Sequence, residues 1–315
     1  MRLAAFLLTV FLAGSGLRAE QLAEHVFVIS FDGGKPAVIA ETPMPVLKKV
    51  AAEGAVTWAA KTIFPSKTLP SHTSMLTGLG PGKHHVLWNN FEPKRGKVLA
   101  PTIFTIAKKA DAKISTAIFA GKMKFHHLWQ ADSLDVFDFK GPQTATPAIA
   151  ASAIATSSKA ELEIEKSVNP AQTVAKSAAA YIVAKKPSLC FIHFPDPDAA
   201  GHKSGWGSPE QKEALKVSDQ ALGQIVRALG TAGIAETSVV LITADHGGHE
   251  KTHGLDIPED MTIPWIAWGK GVKKGFSITQ PVTTYDTAAT ALWLLGVPLP
   301  AEFDGKPVKS AFIGN

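Results

Sequence analysis

The stretch His25-Val26-Phe27-Val28-Ile29-Ser30-Phe31-Asp32-Gly33-Gly34 decides the fold of this chain. Its first seven residues form a mostly apolar run that a carboxylate and two glycines end. Such a run, closed by turn residues, is typical of a strand that is buried on both faces of a parallel sheet. Ligands of these sheets bind beyond the carboxyl ends of the strands. Asp32 is therefore the first candidate for a functional side chain.

Short apolar runs alternate with helical patterns along the rest of the chain, and several of the helices have a proline in the first turn. The predicted strands are residues 25–31, 55–60, 114–119, 188–194 and 238–243. The predicted helices are residues 45–53, 101–110, 170–184 and 209–229. This alternation predicts an α/β fold of three layers, αβα, in which helices cover both faces of a mostly parallel central sheet.

The chain has 315 residues, which is within the range of one α/β domain with insertions. Residues 141–158 break the alternation because they are rich in Ala, Thr, Ser and Pro, and a short charged helix is predicted at residues 160–166. No internal repeat or firm linker divides the chain. We expect residues 20–315 to form one domain, in which the region 120–170 is a candidate small cap.

The first 19 residues have the pattern of a cleavable signal peptide. Arg2 supplies a positive charge, residues 3–13 are apolar, and Leu17-Arg18-Ala19 is typical of a cleavage site. The apolar run is shorter than the roughly 20 residues that span a bilayer. We therefore expect export to the periplasm or the extracellular space, and no membrane span in the mature chain.

The charge of the chain argues against specific nucleic-acid binding. The formal net charge of +5 falls to +3 without residues 1–19, and the basic residues are scattered rather than grouped in a stripe. A small anionic substrate is compatible with this charge. Cys190 is the only cysteine, which excludes an intramolecular disulfide, and its apolar surroundings predict a buried structural residue.

Two further predicted strands lead into carboxylates and imidazoles, which are ligands of zinc. One leads into Asp198 and His202. The glycine between them allows the backbone to fold so that the carboxylate and the imidazole can meet. The other leads into Asp245 and His246, adjacent side chains that could serve two neighbouring ions or one. Each fragment alone is more often a turn or a helix cap than a functional site. The three strand ends together predict a metal site.

A hydroxyl group is offered by the segment Phe64-Pro65-Ser66-Lys67-Thr68-Leu69-Pro70-Ser71-His72, which runs from an extended stretch into a predicted helix. Pro70 in the first turn would put Thr68 near the helix N-terminus, where free N–H groups and the helix dipole favour a bound phosphate or alkoxide. The alternative is that Thr68 is an ordinary N-cap. The residues by themselves leave both interpretations open.

Taken in order, these residues resemble the alkaline phosphatase superfamily, particularly its nucleotide pyrophosphatase/phosphodiesterase (type I phosphodiesterase) branch. The resemblance covers most of the mature chain and implies an alkaline phosphatase-like catalytic domain over residues 20–315. It is carried by Asp32-Gly33, the run from Phe64 to His72 with Thr77-Gly78, Asn89, Asp198 to His202, and Ala244-Asp245-His246-Gly247-Gly248.

The resemblance implies a two-zinc phosphoric-ester hydrolase that acts on a small-molecule phosphate ester through a covalent phosphothreonine on Thr68. One zinc ion would be held by Asp198, His202 and a third histidine. The other would be held by Asp32, Asp245 and His246, with the Thr68 oxygen completing it. Asn89 would donate a hydrogen bond to a nonbridging phosphate oxygen, assisted by the Thr68 amide.

The third histidine differs in position from the larger phosphodiesterases, where it lies far downstream across an inserted segment. Here His253 follows His246 by only seven residues. Compact members of the family resemble this arrangement, with Ile263-Pro264-Trp265-Ile266 after it. We choose His253 over His249 on that resemblance, and the residues alone allow both to be loop residues.

The type of nucleophile distinguishes the activities of the superfamily. Sulfatases use a formylglycine made from cysteine or serine, and the cofactor-independent phosphoglycerate mutases use serine, so Thr68 argues against both. Phosphonate hydrolysis with a threonine nucleophile stays open. Phosphomonoesterases differ from diesterases in cationic side chains that bind the additional phosphate charge, and the sequence does not locate such groups. The Thr68 and Asn89 pattern favours the diesterase branch.

Two alternatives concern other residues and another class of protein. Trp88, Trp129 and Trp206 could stack on a base or aryl group, or pack in the core. The pairs His84-His85 and His126-His127 follow no predicted strand, and we expect solvated loop residues. A secreted metal-binding protein that has lost catalysis is the alternative from a different class. The sequence predicts no oligomeric state.

Overall fold

The computed structural model describes residues 21–139 and 170–314. Eight strands form one sheet in the order β4-β3-β5-β1-β6-β7-β2-β8. Their bounds are β1 His25–Phe31, β2 Ala55–Lys61, β3 Thr116–Phe119, β4 Val136–Asp138, β5 Leu189–Phe194, β6 Ser238–Thr243, β7 Thr262–Gly269 and β8 Phe276–Ser277.

Ten α-helices surround this sheet in the described part of the chain. They are α1 Pro36–Glu41, α2 Pro45–Glu53, α3 Thr68–Thr77, α4 Pro81–His84, α5 Ile103–Ala110, α6 Ala171–Lys185, α7 Asp196–Ser204, α8 Pro209–Thr231, α9 Pro258–Met261 and α10 Asp286–Leu294. Short 3₁₀ helices cover Pro93–Arg95, Met123–Leu128, Ala235–Thr237 and Lys309–Ala311.

Strand β1 lies at the centre of the sheet because its side chains are buried on both faces. Val26 and Val28 belong to one core cluster, with α3, α5 and α10 packed over it. Phe27, Ile29 and Phe31 belong to the other cluster, with α2, α6 and α8 packed over it. Because side chains alternate along the strand, β1 contributes residues to the hydrophobic core on each face of the sheet. The predicted three-layer α/β architecture is confirmed.

Parallel pairing brings the ends of the central strands to one edge. Strand β1 is parallel to β5 on one side and to β6 on the other, with Phe31 opposite Phe194 and Ser30 opposite Thr243. Strand β7 is antiparallel to both β6 and β2. The sheet is thus mostly parallel, and the residues after β1, β5 and β6 converge.

Part of the region 120–170 belongs to the sheet, because β4 pairs with β3 at the edge. The helix predicted at residues 160–166 lies outside the described residues, as does the signal peptide predicted at residues 1–19. The cap therefore remains a prediction. Across residues 21–139 and 170–314, no helix combines the length and the apolar character needed to cross a membrane. Cys190 is buried in β5, and burial raises the pKa of its thiol.

Candidate metal centre

Two groups of carboxylates and imidazoles lie at the carboxyl ends of β1, β5 and β6. The buried cluster consists of Asp32, Asp245 and His246, and the outer cluster consists of Asp198, His202 and His253. Within each cluster, one ligand atom from each residue lies within 4.8 Å of the others. The structure thus brings together all six side chains that the sequence proposed for metal binding.

The three imidazoles of these clusters share one orientation. Each Nδ1–H donates to a backbone carbonyl: His202 to Lys251 at 3.0 Å, His246 to Gly247 at 2.9 Å, and His253 to Ser66 at 2.8 Å. Such bonds fix the tautomer and leave Nε2 with its lone pair for a ligand. The Nε2 atoms of His202 and His253 are only 3.1 Å apart. Two facing lone pairs repel at that distance, so the arrangement fits a shared cation.

Each carboxylate has one oxygen that faces the histidines without a hydrogen bond. Within the described residues, the oxygens without a partner include Asp32 Oδ1, Asp198 Oδ1 and Asp245 Oδ2. His246 Nε2 lies 3.4 Å from Asp32 Oδ1 and 3.2 Å from Asp245 Oδ2. Asp198 Oδ1 lies 3.4 Å from His202 Nε2 and 3.5 Å from His253 Nε2. Buried carboxylate oxygens are normally paired or coordinate metals, so these residues fit metal ions in both clusters.

The second oxygen of each carboxylate is held by the protein. Asp245 Oδ1 accepts from the backbone N–H groups of Gly33 and His246, both at 3.0 Å. Gly33 adopts a φ of +69°, a left-handed conformation that favours glycine and turns the chain after β1. Asp32 Oδ2 accepts from His193 Nε2 at 2.8 Å. Each carboxylate is therefore oriented before any ion binds.

Lys122 joins the two clusters. Its Nζ lies 2.6 Å from Asp32 Oδ2 and 2.5 Å from Asp198 Oδ2, and the residue is buried. Burial would raise the pKa of Asp32, but Lys122 and the His193 hydrogen bond hold it well below its usual range. Burial would lower the pKa of Lys122, but Asp198 and Asp32 raise it above its usual value. The Asp32 carboxylate and the Lys122 ammonium are therefore both charged, as an ion pair requires.

His246 and His253 are neutral at neutral pH, which is the form that binds metal. Burial lowers the pKa of His246, and burial together with the nearby His246 lowers the pKa of His253 to about 3. Burial and the neighbouring Asp32 raise the pKa of Asp245 well above its usual value. A cation in the buried cluster would relieve that repulsion between carboxylates.

Thr68 is the first residue of α3, and its hydroxyl lies beside the buried cluster. Its Oγ1 is 3.4 Å from His246 Nε2, and the residue is 1% exposed. The N-cap position is occupied by Lys67, so the alternative of Thr68 as an N-cap is wrong. His72 donates from Nδ1 to the Thr68 carbonyl at 2.8 Å and holds the first turn in place.

Asn89 lies next to the same helix start. Its Oδ1 accepts from the backbone N–H of Leu69 at 2.9 Å. Because the oxygen is used in this way, the amide is oriented and its NH₂ group is the donor that remains for a ligand. This geometry is compatible with the role that the sequence resemblance implies for Asn89.

The structure distinguishes His253 from His249 as the candidate third histidine ligand. His253 lies in the outer cluster and its ring stacks on that of His246, with centroids 3.6 Å apart. His249 instead donates from Nδ1 to Asp260 Oδ1 at 2.8 Å and belongs to neither cluster. Of the two candidates, His253 is therefore the one with ligand geometry.

Trp206 packs beneath the loops that carry the outer cluster. Its ring lies so close to Gly201 and Gly248 that a Cβ atom there would approach ring carbons to 2.9 and 2.2 Å. Its Nε1 donates to the Gly33 carbonyl at 3.0 Å. Of the two interpretations of Trp206, packing accounts for these contacts.

Three functional candidates were missed from the sequence: Lys122, His193 and His72. Lys122 follows β3, so the rule that ligands bind at strand ends would have found it if applied to Gly121-Lys122. His193 and His72 lie inside β5 and α3, where no sequence signal distinguishes them from core residues. The expectation of solvated histidines at 84 and 127 was also wrong, because both are buried.

An α/β fold with this double cluster defines a class of metal-dependent hydrolases, and comparison with known proteins gives the family. The family model for type I phosphodiesterase / nucleotide pyrophosphatase matches residues 26–260. The chain belongs to this family, whose members are metal-dependent hydrolases of phosphoric esters.

Individual relatives are distant. Human ectonucleotide pyrophosphatase/phosphodiesterase family member 5 is 24% identical over 252 residues, which cover 78% of this chain and 49% of the relative. Human bis(5'-adenosyl)-triphosphatase is 24% identical over 247 residues, which cover 74% of this chain and 50% of the relative. The chain thus spans about half the length of these curated relatives.

Solved structures share the fold. An inactive variant of the murine family member 5, in complex with AMP, matches with a TM-score of 0.70 at 16% identity and covers 92% of this chain and 100% of its own. A phosphonate monoester hydrolase from Silicibacter pomeroyi matches with a TM-score of 0.66 at 14% identity. The match covers 93% of this chain and 77% of the hydrolase. These likenesses are evidence of the fold alone.

Proposed function

We propose that this protein hydrolyses phosphoric diesters, including nucleotide pyrophosphates, with Thr68 as nucleophile and two zinc ions as cofactors. The observation that carries the proposal is the position of the Thr68 hydroxyl, buried and 3.4 Å from His246 Nε2 at the edge of a cluster of orphaned carboxylate oxygens. Within residues 21–139 and 170–314, the hydrogen-bond partner of this hydroxyl is His246 Nε2, which is itself a ligand atom of the buried cluster.

The buried cluster would hold one ion, through Asp32, Asp245, His246 and the Thr68 oxygen. The outer cluster would hold the other, through Asp198, His202 and His253. Mixed carboxylate and imidazole ligands suit zinc better than magnesium or calcium, which prefer oxygen ligands alone. Bound ions of this kind lower the pKa of a coordinated hydroxyl and neutralise charge on phosphoryl oxygens.

Hydrolysis would proceed in two displacements at phosphorus. In the first, a bond forms from Thr68 Oγ1 to phosphorus, the bond from phosphorus to the leaving alcohol breaks, and the hydroxyl proton ends on that alcohol. In the second, a water oxygen bonds to phosphorus, the bond to Oγ1 breaks, and a proton returns to Thr68. The phosphothreonine is thus both formed and consumed within one turnover.

Asn89 and the first turn of α3 would bind the phosphoryl group. The N–H groups of a first helical turn have no acceptor within the helix and favour anions. Because Leu69 N–H is taken by Asn89, the Thr68 amide and the Asn89 NH₂ group are the donors left for nonbridging oxygens. The Thr68 amide is rigid because it belongs to a helix that is buried throughout, and the Asn89 amide is oriented by its hydrogen bond from the Leu69 N–H.

A diester substrate is supported by the family, and the murine relative in complex with AMP supports a nucleoside monophosphate as one product. The alternative of a decayed metal-binding protein has less support, because the nucleophile and all six ligand side chains are present together. Export to the periplasm or the extracellular space remains a proposal that depends on residues 1–19. N-terminal sequencing of the mature protein would test it.

The decisive experiment measures metal content and hydrolysis of bis(4-nitrophenyl) phosphate in wild type and Thr68→Ala. We expect about two zinc ions per chain in both proteins, and a loss of activity of at least about 10³-fold in the variant. Thr73→Ala is the matched control, because Thr73 lies on the same helix and its hydroxyl donates to the Leu69 carbonyl. Wild type without zinc and without activity would contradict the proposal.

A further inference from the structure

Three large apolar side chains are exposed on two loops, residues 85–101 and 129–135. Leu99 is 95% exposed, Leu87 is 57% exposed and Trp129 is 43% exposed. They are three of the eight large apolar residues that are exposed within residues 21–139 and 170–314. Single exposed apolar side chains are ordinary on a protein surface, whereas a group of them with polar neighbours marks an interaction surface.

Hydrogen bonds and ring contacts hold the two loops side by side. Gln130, the neighbour of Trp129, donates from Nε2 to the two backbone carbonyls that flank Leu99, at 2.9 and 2.8 Å. The Lys97 ammonium lies 4.6 Å from the centre of a Trp129 ring, within the range of a cation–π contact. Leu99, Lys97 and Trp129 therefore belong to one continuous surface.

The first loop carries an excess of positive charge between its exposed apolar side chains. Residues 85–101 contain one acidic residue, Glu92, and three basic residues, Lys94, Arg95 and Lys97. Glu92 pairs with Arg95, whose guanidinium carbon lies 4.7 Å from the centre of a ring of Trp88, the neighbour of Leu87. The Glu92 charge is thus compensated, and two lysines remain in excess on this loop.

The chemistry of these side chains fits the headgroup region of an anionic bilayer. Tryptophan is enriched there because its ring is apolar and its N–H is polar, and lysine reaches lipid phosphates while its aliphatic stem stays on apolar surface. Anionic lipids attract each basic residue near the membrane surface. Protein–protein interfaces are instead depleted in lysine. The charge and the exposed leucines therefore favour a lipid surface over a protein partner.

We propose that this protein binds anionic lipid bilayers reversibly through a docking surface formed by Leu87, Lys94, Lys97, Leu99 and Trp129. The apolar side chains enter the headgroup region, and the lysines pair with lipid phosphates. Asn89 belongs to the same loop, so docking holds the candidate active site beside the bilayer. The inference goes beyond the proposed hydrolysis and does not depend on it.

Sedimentation with lipid vesicles tests the docking surface as a whole. The full chain is mixed with vesicles of phosphatidylcholine alone or of equal parts phosphatidylcholine and phosphatidylglycerol. We expect binding to the anionic vesicles, at least about tenfold stronger than to the neutral ones. An increase from about 0.1 M to about 0.5 M NaCl should weaken it, because salt screens the lysines.

Leu99→Asp tests the apolar part of the surface. Leu99 is almost fully exposed, so its replacement removes no packing from the fold. We expect the partition coefficient on anionic vesicles to fall by at least about tenfold, because an apolar contact is lost and a repelled charge is added. Val183→Asp is the matched control, since Val183 is exposed on α6, which packs on the other face of the sheet. Residues 1–19 are common to all variants, so their contribution cancels.

Variants of both signs test the charges. Lys94→Gln combined with Lys97→Gln should weaken binding by about fivefold for each charge removed. The matched control removes two exposed lysines of α6, Lys176→Gln combined with Lys185→Gln. Asp132 is an exposed carboxylate three residues after Trp129, so Asp132→Asn should strengthen binding, by up to about fivefold.

A fluorescent label at position 99 reports contact with lipid directly. Cys190 is buried and burial raises the pKa of its thiol, so a cysteine introduced by Leu99→Cys is the thiol that reacts with a nitrobenzoxadiazole reagent. We expect brighter, blue-shifted emission when anionic vesicles are added, because the label leaves water. The same label on Val183→Cys should not respond.

Four outcomes would overturn the inference. They are no binding to anionic vesicles, equal binding to neutral and anionic vesicles, equal losses in Leu99→Asp and Val183→Asp, and a label at position 99 that does not respond. Self-association that Leu99→Asp abolishes, without vesicle binding, would show that the surface is an interface between copies of this chain instead.

Discussion

The buried and outer clusters contain the same types of side chain but differ in their surroundings. The three side chains of the buried cluster are 0% exposed. In the outer cluster, Asp198 and His253 are 5% exposed, but the His202 side chain is 46% exposed. The buried cluster is built on the ends of two paired strands, β1 and β6, whereas the outer cluster is built on α7 and the loop after β6.

This difference assigns a different part of the proposed reaction to each cluster. Thr68, the proposed nucleophile, lies against the buried cluster, where water is excluded and charge interactions are strong. The leaving alcohol and the attacking water must exchange with solvent, and only the outer cluster is open to it through His202. The position of each cluster in the fold therefore agrees with the proposed division of roles.

Removing one histidine from each cluster should give the largest contrast. We expect His246→Ala to lower the zinc content to about one ion per chain and the diesterase activity by at least about 10²-fold, because the buried cluster loses one of its three carboxylate and imidazole ligands. His202→Ala should retain zinc more readily, with a smaller loss, because solvent can complete the exposed ligand shell. Metal analysis and kcat measure both effects. Equal zinc loss in the two variants would show that burial does not distinguish the clusters.

Removing the support of a ligand should have a smaller effect that is confined to the buried cluster. His193 accepts from the Gly121 N–H at Nδ1 and donates from Nε2 to Asp32. We expect His193→Gln to weaken binding of the ion in the buried cluster by about 10–100-fold and to leave the outer ion unaffected. Competition with a chelator measures the two affinities. His249→Gln is the control, because His249 bonds to Asp260 and to neither cluster; a comparable loss there would contradict the assignment.

The smallest predicted effect is on the pH dependence of stability, and it concerns His84, a histidine outside both clusters. His84 Nδ1 accepts the Val86 N–H at 3.0 Å, so protonation would break this bond, and burial lowers the pKa of His84 to about 4. Between pH 6.5 and 4 the unfolded chain therefore binds more protons at this residue than the folded one, and the free energy of unfolding falls as the pH falls.

Urea unfolding at pH 7.5 and 5.5 measures this dependence. We expect the free energy of unfolding to depend less on pH in His84→Gln than in wild type, by up to about 1 kcal/mol over this interval. The difference between the two proteins cancels the contribution of other buried histidines. An unchanged pH dependence would mean that His84 does not titrate with the shifted pKa.

The sequence predicted the buried cluster more completely than the outer one. Asp32 and Asp245-His246 directly follow apolar runs, so local pattern and the rules of parallel sheets were enough to bring them together. His253 could be preferred to His249 only by resemblance, because both occupy one loop and the pattern of that loop has no periodicity. The contact of His249 with Asp260, eleven residues further on, removes it from the cluster.

The residues that hold or connect the ligands were not predicted. His193 and Lys122 touch Asp32 across sequence separations of 161 and 90 residues, and neither contact has a local signature. His72 ends the Thr68 segment, and no local pattern predicts that its Nδ1 donates to the Thr68 carbonyl.

The sequence by itself determined five of the eight strands that the structure describes, the carboxylates and imidazoles at the strand ends, and the threonine at a helix start. These features follow from hydrophobic periodicity and from short motifs, which act over a few neighbouring residues. Only the tertiary structure decided which oxygen of each carboxylate faces the histidines, which histidine completes the outer cluster, and that Lys122 joins the two. Those choices depend on distances between distant segments, and packing of the whole domain sets them.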